Sequence, residues 1–242
     1  MFIQHRTPGF ILRSENRSES DQLFWIYTKD FGQITVSAKG IRKLNSKLRG
    51  SIQIFYLSGV EFIQGRSQKI LIDAVLIEKF PDLRKNFLKL RLAYRFTKIF
   101  CSLVKNQQAD EDLWQLLYRF FSELNRSELS LERALFFYYF FFWDFLNVLG
   151  YHPELYQCVF CRKKIAFSQT FWKPQDGGLV CLNCFEKAAT KPQKVNAQTI
   201  KVLRLFLTQE WKTVRLLKAD PVVFQELKII SRKYFHFIHE KK

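Results

Sequence analysis

Apolar and polar residues alternate along the first eighty residues, a period that is typical of β-strands. Turn-forming residues such as those of KDFG (29–32) separate the runs. Strands are predicted around Phe10 and Leu12 and at LFWIYT (23–28), ITVSA (34–38), SIQIFYL (51–57), VEFI (60–63) and KILIDAVLIE (69–78). Short strands at this spacing in about eighty residues predict a small five-stranded barrel of the oligonucleotide-binding (OB) type.

After Pro81 the apolar residues recur at the spacing of helices. The first predicted helix runs toward Val104, and the third is expected to end near Gly150, since Pro153 follows. KPQKVN (191–196) is predicted to be a linker between the segments before and after it. Side chains that accept hydrogen bonds from the first turn of a helix predict N-caps at Asp82, Asp110, Ser130, Asn196 and Asp220.

The order of these elements predicts a multidomain α+β protein. An OB-fold β-barrel is expected over residues 1–80, and an α-helical bundle over 81–155 and 190–242. A cysteine-containing insertion, 156–189, interrupts the bundle between its third and fourth helices. The helices on either side of the insertion are too few to bury a core alone, which favours one bundle built from both.

The charge balance indicates a polyanionic partner. Lys and Arg number 39 against 22 acidic residues, a formal charge of +17, with the excess concentrated before residue 80 and after residue 190. Such a charge attracts nucleic acid or an anionic membrane surface. The most apolar run, ALFFYYFFFWDFL (134–146), contains Asp144 and is about half as long as a membrane span of ~20 residues. It predicts a buried helix, and with no secretory signal at the start the protein is expected to be soluble and cytoplasmic.

Two Cys-x-x-Cys pairs supply the strongest local signal. Cys158 and Cys161 form the first pair, and Cys181 and Cys184 form the second. This spacing is typical of a tetrahedral zinc site, with a hairpin and the Gly177–Gly178 turn returning the second pair to the first. Redox thiols, an iron–sulfur cluster and disulfides are the alternatives, which suit the spacing and a reducing compartment less well. Four protein ligands leave no position for a catalytic water, so the predicted zinc is structural.

The loop AKGIRKLNSKLRG (38–50) lies between two predicted strands and contains no acidic residue. Cations on a loop beside a curved sheet can follow a phosphate backbone, and each neutralised phosphate releases counterions. The alternative is a solvated loop with incidental charge. The predicted nucleic-acid-binding residues are Lys39, Arg42, Lys43, Lys47 and Arg49.

Several stretches resemble the RecO family of bacterial recombination mediators. In the barrel, the matching positions are Gly9 to Arg13, Asp21, Phe31–Gly32, Ala38–Lys39–Gly40 with Arg42, and Leu48–Arg49–Gly50. Farther on, LGYHPELYQCVFC (149–161) and FWKPQDGGLVCLNC (171–184) resemble the two halves of the zinc module of the family. The resemblance follows the order of the whole chain.

The resemblance implies a DNA repair protein without a catalytic step. Members of this family bind single- and double-stranded DNA and anneal complementary strands. They engage the acidic C-terminal tail of single-strand binding protein, and with RecR they help to load the RecA recombinase onto coated single strands. The implied location is the bacterial cytoplasm, at the nucleoid, with no membrane and no small-molecule substrate.

Three other functions are alternatives to this one. The sequence lacks a P-loop, a Gly-rich dinucleotide turn, a GxSxG elbow and a HExxH helix, which argues against an enzyme. A zinc-ribbon transcription or ribosome-associated factor shares the zinc and the charge, but it predicts a preference for one sequence or for RNA. A peripheral membrane protein would use the same cations on anionic lipid.

Overall fold

The computed structural model describes residues 3–65, 68–105, 108–166, 170–187, 191–218 and 220–240. The chain forms two compact units, Met1–Ala134 and Leu135–Lys242, and the boundary falls within a helix. The predicted bundle, 81–155 and 190–242, includes residues of both units. The predicted division into a barrel, one bundle and an insertion therefore stays a prediction.

The first unit begins with a closed five-stranded barrel, as predicted. Its strands are β1 (Gln4–Asn16), β2 (Gln22–Thr28), β3 (Gly32–Ala38), β4 (Leu57–Gln64) and β5 (Lys69–Glu78). The strand order is β1-β2-β3-β5-β4, and antiparallel pairing of β1 with β4 closes the ring. Strands β3 and β5 pair in parallel. Alternate residues point inward, as the period of two predicts, and Ile26, Val36 and Val60 are completely buried there.

The prediction of a strand at SIQIFYL (51–57) is wrong for residues 51–56, and only Leu57 lies in a strand, as the first residue of β4. Within this stretch Phe55 has a left-handed backbone with φ of +67°, which interrupts an extended chain. The backbone of this stretch forms hydrogen bonds with Ile11 of β1. Ile11 N–H donates to Tyr56 O at 2.9 Å, and Phe55 N–H donates to Ile11 O at 2.7 Å. These bonds lie beside an irregularity in β1 between Ile11 and Arg13. Residues 51–56 therefore form a loop before β4, and its Ile52 and Tyr56 side chains belong to the barrel core.

Three helices follow the barrel: α1 (Pro81–Lys85), α2 (Phe87–Leu103) and α3 (Glu111–Leu124). The predicted N-cap at Asp82 is wrong, because Asp82 lies inside α1. The amide oxygen of Asn125 instead accepts from Asp82 N–H at 2.9 Å, and Asn86 caps α2 through bonds from Leu88 and Lys89. The predicted cap at Asp110 is confirmed, since its carboxylate accepts from Leu113 N–H at 3.0 Å.

Aromatic rings join the barrel to these helices. Phe10 points outward from β1, and its ring centroid lies 5.4 Å from that of Phe121 and 4.9 Å from that of Trp114. Tyr27 on β2 packs edge-on against Phe100 at 5.1 Å. Rings of this size bury much apolar area per residue, so the abundant Phe residues of the sequence supply the packing between sheet and helices.

The apolar run 134–146 lies in α4 (Leu131–Val148), and nearly all of it is buried, as predicted. Ser130 caps the helix, with its hydroxyl accepting from Arg133 N–H at 3.3 Å. At the other end, Gly150 has φ of +79°, and Tyr151 N–H donates to Leu146 O at 2.8 Å. This is the Schellman pattern of helix termination. None of the helices in the described ranges has the length and hydropathy that crossing a bilayer requires.

The second unit combines a small sheet with three further helices. The sheet contains β6 (Thr170–Lys173), β7 (Gly178–Cys181) and β8 (Gln193–Val195), in the order β7-β6-β8. The helices are α5 (Ala197–Leu207), α6 (Trp211–Leu216) and α7 (Pro221–Glu240). The predicted linker 191–196 is wrong in part, since Gln193–Val195 pairs with β6. The caps at Asn196 and Asp220 are confirmed.

Trp143 of α4 organises the core of this unit. Its indole N–H donates to Ser231 Oγ of α7 at 3.0 Å, and its ring stacks on Tyr234 at 5.2 Å. Trp172 of β6 meets the same indole edge-on at 6.2 Å. Helix α7 and the small sheet are thereby fixed to one side chain, which gives the cysteine-bearing segment a rigid support.

We expect Asp110→Ala to destabilise the protein by about 1 kcal/mol, because the N–H of Leu113 loses its acceptor at the start of α3. Chemical unfolding measures the change. Asp112→Ala is the matched control, since it removes a charge from the same turn but no cap. An equal loss of stability in both variants would contradict the capping role.

Candidate nucleic-acid interface and metal centre

The four paired cysteines come together in the second unit. The sulfur atoms of Cys158, Cys161, Cys181 and Cys184 all lie within 4.8 Å of one another, and Cys161 Sγ is 3.8 Å from Cys181 Sγ. Four Zn–S bonds of about 2.3 Å in a tetrahedron would place the sulfurs about 3.8 Å apart. The fifth cysteine, Cys101, lies in the first unit, and burial raises the pKa of its thiol to about 12.

A tight turn positions the first pair. Cys158 N–H donates to Lys163 O at 2.9 Å, and Arg162 N–H donates to Cys158 O at 2.9 Å. Arg162 has φ of +58°, so the chain reverses directly after Cys161. The turn aims both sulfurs of the pair to the same side, where one cation can contact them.

The hairpin of β6 and β7 brings the second pair back, as predicted. Cys181 ends β7, and Cys184 lies in the 3₁₀ turn that follows. The strand is held to the first pair because Val159 N–H donates to Leu179 O at 3.0 Å. Residue 178 has room only for glycine, because a Cβ there would lie 2.3 Å from the backbone oxygen of Glu154. The two halves of the cluster are thus joined by backbone contacts.

The four thiols of the cluster differ in how readily they ionise. Burial opposes ionisation of Cys158, but backbone N–H groups of Cys161, Cys181 and Phe160 donate to its sulfur and lower its pKa to about 6. Burial and the neighbouring sulfurs raise the pKa of Cys184 to about 12. Four adjacent thiolates repel one another, so a cation is needed to keep all four deprotonated.

The basic loop, residues 38–50, connects β3 to the buried loop before β4. All five predicted DNA-binding side chains on it are exposed: Lys39, Arg42, Lys43, Lys47 and Arg49. Apolar side chains between them anchor the loop, because Ile41 is buried in the barrel core and Leu48 packs against it. The chain therefore alternates between inward anchors and outward cations.

Hydrogen bonds to the β1–β2 turn fix the loop further. Asp21 Oδ1 accepts from Gly40 N–H at 2.7 Å, and Arg42 N–H donates to Ser20 O at 3.0 Å. Gly40 has φ of +65°, a conformation that strains other residues. The hydrogen bonds from Gly40 and then Ser20 lower the pKa of the Asp21 carboxyl below its ordinary value of 3.8.

A groove runs from the basic loop onto the barrel. It has a volume of about 400 Å³, and Arg42 and Arg49 are among its lining residues. Gln22, Gln53 and Ser14 also line it, with groups that can donate and accept hydrogen bonds. The cations of the loop thus border a polar depression on the barrel surface.

The sequence pattern identified the cations but not the groups that position them. Asp21 and Gly40 belong to the stretches that resemble a known family, yet their contact joins residues far apart in sequence. In the second unit, Arg204 of α5 looks like an exposed cation by its sequence position. Its guanidinium instead donates to Leu155 O at 3.0 Å and lies over the Tyr156 ring at 4.4 Å, next to the cysteine cluster.

We expect Asp21→Asn to lower the free energy of unfolding at pH 7. A carboxyl whose pKa is lower in the folded protein stabilises it above the unfolded-state pKa, about 3.8, and the effect disappears as the pH falls through the folded-state value. In urea unfolding, the two proteins should therefore differ in free energy of unfolding at pH 7. The difference should disappear once the pH falls below the folded-state pKa. Glu19→Gln is the control, since it removes a charge from the same turn without the Gly40 bond. A gap that persists at low pH would contradict this role.

Comparison with known proteins covers nearly the whole chain. Residues 1–80 match the family described as recombination protein O N terminal, and residues 84–241 match recombination protein O C terminal. A DNA repair protein RecO from Dehalococcoides mccartyi strain BAV1 is 28% identical over 240 residues, which is 98% of this chain and 91% of the relative. One from Alkaliphilus metalliredigens is 28% identical over 229 residues, covering 95% of this chain and 91% of the relative.

A third relative of the same name, from Roseiflexus sp. strain RS-1, is 27% identical over 239 residues, covering 98% of this chain and 82% of the relative. The two family matches follow one another along the chain in the order of the barrel and the parts after it. On these matches, which take in both the basic loop and the cysteine cluster, the chain belongs to the RecO family of DNA repair proteins.

Proposed function

We propose that this protein is a recombination mediator that acts by binding. It holds single- and double-stranded DNA on its barrel, anneals complementary strands and, with RecR, helps to load RecA onto strands coated by single-strand binding protein. No bond is made or broken in this activity. Annealing requires that two polyanions approach each other, and a cationic surface lowers their repulsion.

The observation that carries the proposal is the fixed display of five cations. Lys39, Arg42, Lys43, Lys47 and Arg49 are exposed on a loop whose backbone is tied to the barrel by Ile41, Leu48 and Asp21. Because the loop is already ordered, little conformational entropy is lost when phosphates bind to it. Contacts to phosphates do not depend on base sequence, as annealing of arbitrary strands requires.

Strand annealing tests the proposal directly. Two complementary oligonucleotides, one carrying a donor dye and the other an acceptor, are mixed with the full-length protein, with and without single-strand binding protein. We expect faster annealing in both conditions and the same acceleration for unrelated sequences. Annealing at the rate without protein, or a strong preference for one sequence, would overturn the proposal.

We expect the triple variant Lys39→Ala, Arg42→Ala, Lys43→Ala to bind single strands more weakly and with less dependence on salt. Each lost phosphate contact removes about 0.7 from the slope of log affinity against log salt, so the slope should fall by up to about 2. The matched control changes Lys191, Lys212 and Lys228, exposed cations of the second unit, to Ala. An unchanged slope in the first variant would exclude the basic loop.

We further propose that the cysteine cluster binds a structural Zn²⁺. The sulfur separations and the need to balance four thiolates support this identity. Zinc joins segments that have only a small core of their own, and its binding energy contributes to folding. All four ligands come from the protein, so the ion completes the support of the module and takes no part in a reaction.

We expect Cys181→Ser to lose the metal and several kcal/mol of stability, because one ligand of the tetrahedron becomes a neutral hydroxyl. Elemental analysis of anaerobically purified protein and thermal unfolding measure the two effects. Cys101→Ser, outside the cluster, is the control and should keep one zinc per chain. Iron in place of zinc in the unmodified protein, or no metal at all, would refute the assignment.

The remaining partners and the location are proposals that the resemblance to the family supports. We propose RecR and the acidic tail of single-strand binding protein as protein partners, and the nucleoid in the bacterial cytoplasm as the place of action. Neither a membrane nor a small-molecule substrate is required. Pull-down with RecR, and with a peptide of the tail against one whose acidic residues are changed to amides, separates these two interactions.

A further inference from the structure

A second depression in the first unit lies between the barrel and α2. It has a volume of about 530 Å³, within the range of sites that hold small organic groups. Leu12 and Ile54 contribute apolar surface, and Trp25 of β2 and Tyr94 of α2 contribute aromatic surface. Tyr94 is 49% exposed, so a large part of its ring can be reached from solvent. We name this depression the aromatic cleft.

The cleft is bordered by cations. Arg13 and Lys98, both exposed, are among its lining residues. Helix α2, which forms one side of the cleft, contains no acidic residue between Phe87 and Leu103, and its exposed basic residues are Arg91, Arg95 and Lys98. An aromatic surface with a cationic border favours a ligand that is flat and attached to negative charge, and disfavours a neutral apolar chain.

The aromatic cleft is continuous with the groove beside the basic loop. Ser14 and Ile54 line both depressions, so one ends where the other begins. A ligand strand bound at Arg42 and Arg49 could pass over Ser14 and reach Trp25 along the surface of the first unit. Both depressions belong to one compact unit, and their positions are therefore fixed relative to each other.

We propose that the aromatic cleft binds a nucleobase of single-stranded DNA, stacked on Trp25 and beside Tyr94, while phosphates on one side contact the basic loop and on the other contact Lys98. The inference rests on the proposed DNA binding and names the part of that surface that selects unpaired strands. A base in a duplex is stacked on its neighbours and cannot enter such a cleft without leaving the helix.

Arg13 covers the stacking surface of Trp25. Its guanidinium carbon lies 4.3 Å from the centroid of the Trp25 ring, and Glu15 pairs with it at 3.0 Å on the exposed side. An exposed contact between Arg and a ring is weaker than stacking of a base on Trp. The base therefore displaces the guanidinium, which becomes available to a phosphate of the same strand.

The test compares changes to aromatic residues with changes to cations in the full-length protein. Binding of an oligothymidylate is measured over a range of salt concentrations for Trp25→Leu and Tyr94→Leu. We expect each to bind about 5- to 100-fold more weakly with the salt slope unchanged, because stacking is lost and phosphate contacts remain. Trp25→Phe and Tyr94→Phe keep an aromatic face and should retain most of the affinity. Tyr118→Leu, at an exposed tyrosine of α3 that does not line the cleft, is the matched control.

Two further readouts do not depend on the stability of the Leu variants. The oligonucleotide should quench tryptophan emission of the unmodified protein, and Trp25→Phe should abolish most of the quenching while still binding. An oligonucleotide with abasic sites keeps every phosphate but lacks the bases that would stack. It should bind the unmodified protein more weakly than the intact oligonucleotide does.

The outcomes separate this inference from the function on which it rests. If the Leu variants bind like the unmodified protein while the triple change in the basic loop weakens binding, the aromatic cleft is not a base site and the DNA-binding function stands. Equal binding of abasic and intact strands by the unmodified protein leads to the same conclusion. If the unmodified protein binds no single strand at low salt, the proposed function fails as well.

Discussion

Closure of the barrel by β1 is the constraint on which the candidate DNA surface depends. This strand pairs with β2 on one side and with β4 on the other, which completes the ring. The interior then fixes Ile41, near the start of the basic loop, and Ile52, which follows it. With both ends of the loop anchored, its cations are displayed at defined positions rather than on a mobile tail.

In the second unit, the segment that contains the cysteine cluster is likewise held in place by contacts with other elements. A short sheet with little interior of its own packs against Trp143 and Tyr234, and Cys181 at the end of β7 belongs to the cluster of four sulfurs. Arg204, which could have served as a surface cation, is used to hold the carbonyl of Leu155 before the first cysteine pair. These contacts give the cysteine-bearing region a rigid support.

Local signals in the sequence predicted local structure well. The caps at Asp110, Ser130, Asn196 and Asp220 depend on side chains that bond to backbone two or three residues away, and all are found. The expectations that failed depended on contacts between residues far apart in sequence. Asn125 caps α1 in place of Asp82, Ile11 bonds to the loop 51–56, and residues 193–195 pair with β6. In the candidate site, the spacing of the cysteines predicted their clustering, and the charge of the loop predicted a DNA-binding role that stays a prediction. The Asp21–Gly40 bond and the aromatic cleft required the fold.

DNA is expected to lie on the first unit, across the basic loop and beside α2. Lysine-reactivity footprinting of the full-length protein, with and without an oligothymidylate, measures this directly. Protection of Lys39, Lys43, Lys47 and Lys98, with Lys212 and Lys228 of the second unit still reactive, is the predicted result. Protection of Lys212 and Lys228 while Lys39 and Lys43 stay reactive would place the DNA elsewhere and contradict this location.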